Sequence, residues 1–204
     1  DLIGMTFIVL TLRTLKMNPN FSLVYFWSPL VIKETFNSTH LDIIGISCLC
    51  VSVYFLVRKR MTESIFFLAI SFLGKFYSGV LLPFYIQRSW LLARENGTRG
   101  TPVFVAHLIL FFTVVVVCYL PFIDMGEKVF EGLKTYSIYW QSNDSLFAIL
   151  LYFSKDILGV GAGMNEKFLG NSMLFAKITM ALFVFGVVSY MLVKKIPRTE
   201  SPED

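Results

Sequence analysis

The sequence predicts an all-α, polytopic integral-membrane helical bundle with a re-entrant hairpin over residues 64–86. Three observations carry that expectation. Hydrophobic residues make up 55% of the 204 residues against 16% charged, with 21 phenylalanines. Mean hydropathy is +0.66, and one apolar run follows another with basic residues at the ends. A soluble domain does not carry this balance, whereas a chain that turns its side chains to lipid does.

Residues 2–12 read as the end of a membrane helix closed by Arg13 and Lys16. The chain enters this run directly after Asp1, so we read it as a piece of a longer protein. No basic flank precedes the run and no small-residue cleavage pattern follows it, which argues against a signal peptide. The next run, 20–32, is short for a crossing, which needs about 20 apolar residues. Asn18 and Pro19 start it, Pro29 interrupts it, and Trp27 stands where an interfacial aromatic belongs.

Residues 41–57 form a clear span ending in Arg58, Lys59 and Arg60. Spans are also expected at 103–122 and 173–193, followed by Lys194, Lys195 and a polar tail, 194–204, whose prolines and clustered charge predict disorder. No internal repeat or soluble domain boundary is visible, so 1–193 reads as one membrane-embedded domain. Cys48, Cys50 and Cys118 fall inside apolar runs without metal-ligand spacing and are expected to be buried thiols.

Charge placement decides how 64–86 is used. If it crosses fully, Arg88, Arg94 and Arg99 lie opposite Arg58 and Arg60. If it dips in and returns, bending around Lys75 to Pro83, every arginine falls on one side together with Lys16, Lys59, Lys194 and Lys195. Basic residues collect on the cytoplasmic face, so the re-entrant arrangement is preferred. The formal charge of +4 is then a matter of topology, and no nucleic-acid partner is expected.

The opposite face receives two polar segments, 33–42 and 124–167. The first carries Lys33, Glu34, Asn37, His40 and Asp42. A helix continuing past Pro29 puts Lys33, Asn37 and His40 on one side and Glu34, Ser38 and Asp42 on another, a donor stripe beside an acceptor stripe. The same residues also suit a solvated turn at the membrane edge. Lys75 is the costliest residue, since an ammonium at membrane depth must snorkel, pair or face water. It suits contact with a lipid phosphate, or a lysine reaching the interface from a helix break.

In the second segment, Tyr136, Tyr139 and Trp140 suit stacking on a sugar ring or a place in the headgroup belt. Asn143 and Asp144 suit hydrogen bonds to hydroxyls, or the cap of a helix starting near Ser145. Asp124, Glu127 and Glu131 have the spacing of an amphipathic surface helix. Gly159, Gly161 and Gly163 form a loop rather than a nucleotide cradle, because no strand precedes them and no Lys-Ser/Thr follows. His107 reads as an interfacial or packed histidine.

The segment WSPLVIKETFNSTHLD, Trp27 to Asp42, resembles a motif of polyprenol-phosphate-dependent mannosyltransferases of the GT-C superfamily, with Ser28 where that family commonly has Asn. Leu73 to Pro83 is similar to the family's Lys-containing stretch that ends in Pro, with Ser78 in place of a common Pro. Gly132 to Phe147 resembles a third region, and the three matches occur in family order. The resemblance implies a multispan enzyme of the plasma (inner) membrane. It would transfer a sugar, commonly mannose, from a polyprenyl phosphate to a glycan or glycolipid acceptor on the outer face.

On this resemblance Lys33, Glu34, Asn37, His40 and Asp42 border the donor and acceptor site, with Lys75, Trp140, Asn143 and Asp144 as further substrate-binding positions. The principal catalytic carboxylate is expected in a loop ahead of Asp1, so no catalytic residue is assigned. No cofactor is assigned, the lipid-linked sugar donor being a substrate. The superfamily allows a divalent metal, but no ligand set is read here. Membrane lipids are expected neighbours. Two readings of other classes stay open: a transporter or flippase of lipid-linked glycans, and a non-catalytic membrane subunit.

Overall fold

The structure, a computed structural model, describes residues 2–33, 42–132, 135, 148, 149, 152, 153 and 166–194. These residues are helical or in turns, and no strand occurs among them. Two compact units, 1–124 and 125–204, are present.

In the first unit, α1 (Leu2–Thr14) is followed by a 3-10 turn, Pro19–Ser22, and two four-residue helices, α2 (Leu23–Phe26) and α3 (Pro29–Ile32). Stretch 20–32 is therefore not a single helix. Asn18 caps the 3-10 turn, its side-chain oxygen accepting from the Asn20 N–H at 2.9 Å. Pro29 has no N–H to extend α2 and instead opens α3, where a first-turn proline is tolerated.

Helices α4 (Asp42–Val57) and α5 (Met61–Gly74) form an antiparallel pair. Their seam is made of small residues. Ser52 Oγ donates to the Ser64 carbonyl at 2.6 Å, and Ser64 Oγ donates back to the Ser52 carbonyl at 2.9 Å. Farther along, Ser71 Oγ donates to the Gly45 carbonyl at 2.8 Å. A Cβ on Gly74 would lie 2.9 Å from Gly45 Cα. Close backbone approach and serine hydrogen bonds are how helices associate where lipid removes the hydrophobic drive. α1 runs parallel to α4, as Gly4 meets Ser47 and Phe7 packs on Tyr54 and Phe55.

α5 stops at Lys75, whose backbone is extended (φ −154, ψ 123). A 3-10 segment, Phe76–Leu81, then leads to α6 (Leu82–Glu95), with Pro83 in its first turn. α6 doubles back along α5. His107, on α7 (Gly100–Tyr119), establishes the reversal. Its Nδ1 lies 2.5 Å from Ser89 Oγ on α6, and its Nε2 lies 3.4 Å from Thr62 Oγ1 on α5. Both hydroxyls thus sit against one imidazole, whereas an uninterrupted helix would hold them about 40 Å apart. Met61, Ile65, Leu68, Tyr85, Ile86, Leu92 and Phe111 make a common core beneath this contact.

Three helix ends close alike. In each, one amide bonds five residues back and the preceding amide three residues back, the pattern that follows a left-handed residue. The bonds are Met17 to Leu12 and Lys16 to Arg13, Arg60 to Phe55 and Lys59 to Leu56, Thr98 to Ala93 and Gly97 to Arg94. Gly97 (φ 73) suits that position. Lys16 (φ 56) and Lys59 (φ 60) occupy it too, at a cost of about 1–2 kcal/mol that glycine would avoid.

Among the described residues, two stretches are long and apolar enough to cross a membrane: Gly100–Phe130, which contains α7, and Phe175–Val193, within the helix α8 (Glu166–Val193) of the second unit. Their outward residues suit lipid: Ile109, Phe112, Val116, Leu182 and Phe185 are all exposed. Cys118 is exposed on α7 rather than buried, while Cys48 and Cys50 are partly covered. Beyond α7, the acids Asp124 and Glu127 do not lie on a continuous amphipathic helix. Residues Leu120–Phe130 are 3-10 turns divided at Gly126, whose φ of 54 and ψ of −132 break the helix.

Candidate functional site

The break after α5 places Lys75 beside the first residue of α4. Lys75 Nζ forms an ion pair with Asp42 Oδ2, and both side chains are partly exposed, at 37% and 42%. Each backbone explains its side chain's position. Asp42 begins a 16-residue helix, where the unsatisfied amides and the helix dipole favour a carboxylate. Lys75 leaves the helix with its N–H still bonded to the Ser71 carbonyl at 2.8 Å, its backbone extended and beside Gly45, and its side chain reaches Asp42.

The Lys75 carbonyl in turn accepts from Ser78 N at 3.3 Å and Ser78 Oγ at 3.2 Å. Ser78, which stands where the resembled family commonly has proline, thus closes the 3-10 turn over the break. Gly79 is needed here as well, since a Cβ would come within 2.8 Å of the Phe72 ring. Tyr77 is within electrostatic reach of both Lys75 and Asp42, and Tyr25 of Tyr77. These two tyrosines were not read from the sequence as site residues. Their signal was only that each lies next to a helix break.

Of the sequence-derived positions, the structure brings Asp42 and Lys75 together. Lys33 follows α3 and is exposed. Glu34, Asn37, His40, Trp140, Asn143 and Asp144 lie outside the described residues, as do Tyr136, Tyr139, Gly159, Gly161, Gly163 and the tail after Lys194. His107 is at the other end of the hairpin, packed between Thr62 and Ser89. Among the described residues, no group of three or more His, Cys, Asp or Glu side chains is placed to hold a metal ion.

No protein-family model, curated protein or solved structure matches the chain. The chemistry of the site therefore rests on its residues. An ammonium held by a carboxylate and half open to its surroundings can receive an anion: the incoming group exchanges with Asp42 for the lysine.

Proposed function

We propose that this chain forms part of an integral-membrane glycosyltransferase. It would move a sugar, most simply mannose, from a polyprenyl-phosphate donor to a glycan or glycolipid acceptor on the face opposite the arginines. The observation that carries the reading is the Lys75 and Asp42 pair at the break after α5. It joins two of the three sequence regions that resemble the GT-C mannosyltransferases at least at one point, and it offers the cation that a phosphate leaving group needs.

In this reading the chain is multi-pass, in the plasma (inner) membrane, and α5 and α6 form a re-entrant hairpin entering from the basic face. Each helix has 14 residues and so reaches about 21 Å, short of a hydrocarbon core of about 30 Å. The non-helical backbone at the tip is tolerable where protein or water covers it. Lys75 then lies deep, within reach of a donor phosphate that approaches from the opposite face.

The transfer is a direct displacement. The acceptor hydroxyl oxygen attacks the sugar's anomeric carbon, the bond from that carbon to the phosphate oxygen breaks, and the electron pair leaves with the phosphate. The hydroxyl proton passes to a carboxylate acting as general base. Lys75 neutralises the charge that develops on the leaving phosphate. Asp42 orients Lys75, and the base is not assigned to it.

A transporter of lipid-linked glycans is the second reading, because interrupted helices with paired charge also hold cargo in transporters. Membranes containing the full-length protein, supplied with radiolabelled polyprenyl-phosphate mannose and an acceptor membrane extract, separate the two. Label transferred to the acceptor supports the enzyme. Movement of the lipid-linked sugar between leaflets without transfer ends that reading and favours the transporter.

A further inference from the structure

The first unit gathers its described arginines, with Lys16 and Lys59, at one end, while Lys75 lies at the other. α1 and α4 run parallel and finish at Arg13 and Lys16 and at Arg58 to Arg60, while the His107 contacts bring the start of α5, the last turns of α6 and the start of α7 to that same end. Arg88, Arg94 and Arg99 join the group there. Two acids lie among them, and each is already used: Glu63 pairs with Arg60, and Glu95 lies 3.7 Å from Arg88. Arg94 is stacked on Trp90 at 4.7 Å. Arg13, Lys16, Arg58, Lys59 and Arg99 are exposed and form no ion pair among the described residues.

Lys16 and Lys59 add an independent observation. Both hold the left-handed turn position that glycine fills at Gly97, in turns bonded in the same way. A strained residue kept where a relaxed one fits points to a use for its side chain. Here that side chain is an exposed cation in the turn that ends an apolar helix, α1 or α4, the place where basic residues meet headgroups if such a helix enters a membrane.

We infer that this end of the bundle is a binding surface for anionic phospholipid headgroups, with Lys16 and Lys59 as contacts held in place by their turns. Sidedness alone requires only that cations remain on one face. The surface described here takes lipid phosphates onto particular lysines, in the manner of basic residues gathered beside membrane helices. The inference is independent of sugar transfer.

The test is thermal unfolding and lipid titration of the full-length protein in nanodiscs of phosphatidylcholine, with and without phosphatidylglycerol. Phosphatidylglycerol should raise the Tm of the wild type. Lys16→Gly with Lys59→Gly should leave the Tm in phosphatidylcholine equal or higher, because turn strain is removed, yet lose the gain from phosphatidylglycerol. Apparent affinity for that lipid should fall about fivefold per lysine removed. Lys16→Arg with Lys59→Arg should keep the gain. The inference is overturned if the wild type gains nothing, if the glycine variant gains as much as the wild type, or if inorganic phosphate alone reproduces the effect.

Discussion

Asp42 and Lys75, 33 residues apart in sequence, form an ion pair at the point where α5 gives way to extended backbone. A half-exposed pair of this kind adds little to stability in water, about 0–1 kcal/mol. Its interest lies in what either charge does alone near a bilayer. Lys75 without Asp42 must find another anion, and in the proposed reaction the donor phosphate is that anion.

Lys75→Ala is accordingly expected to lower turnover by about a hundredfold, the scale for losing one electrostatic partner of a developing negative charge. Lys75→Arg should restore part of it. Asp42→Asn should cost less, because it removes only the group that orients the lysine. The assay is transfer from radiolabelled polyprenyl-phosphate mannose at matched levels of inserted protein. Unchanged turnover in Lys75→Ala would detach the pair from catalysis.

The hairpin makes a geometric prediction. Thr62 and Ser89 flank one imidazole, so cysteines at 62 and 89 should be joined by a short bifunctional thiol reagent, with Cys48, Cys50 and Cys118 first replaced by alanine. A cysteine at Arg94 should also be labelled from the same side as one at Arg60. A straight crossing keeps 62 and 89 about 40 Å apart and puts 60 and 94 on opposite sides.

The reversal around Lys75 could be read from the sequence because it is a property of charge: placing every arginine on one side requires the chain to come back. The Lys75 and Asp42 partnership could not, because nothing local ties two residues on different helices. Lys75 was recognisable as a residue in need of a partner, but not which partner it had. The serine and glycine seam between α4 and α5 did leave a trace, in the seven-residue spacing of Gly45 and Ser52 and of Ser64 and Ser71. In an apolar run such residues read as filler until the two helices are laid together. Gly126 misled in the opposite way, since the acids around it have helical spacing and one backbone conformation breaks the helix.

The reciprocal serine bonds should be individually modest. Ser52→Ala or Ser64→Ala removes one donor and leaves a carbonyl that is already bonded within its own helix, so each should cost about 0.6 kcal/mol, as for interhelical hydrogen bonds in membranes. The pair should be less than additive, because both bonds span the same contact. Unfolding in mixed detergent micelles, followed by far-UV circular dichroism, would measure this. A loss of several kcal/mol from one serine would mean that the seam carries more than these bonds.

Gly74 sets a backbone-to-backbone steric condition between α4 and α5, and its effect should reach the site. A Cβ there would stand 2.9 Å from Gly45 Cα and 3.1 Å from Gly45 N. These are backbone atoms, so no rotamer change relieves the clash, and α4 and α5 must separate at the end that carries Asp42 and Lys75. Gly74→Ala should therefore destabilise the protein by about 1–3 kcal/mol, the range for overpacking a close contact, and should weaken the ion pair as the helices part. Gly132→Ala is the control, because a Cβ there meets nothing within 4 Å. In detergent unfolding, Gly74→Ala should shift the midpoint while Gly132→Ala does not. Equal midpoints for both would mean that the helices sit farther apart than the Gly45 and Gly74 contact requires, which would also remove the basis for Lys75 reaching Asp42.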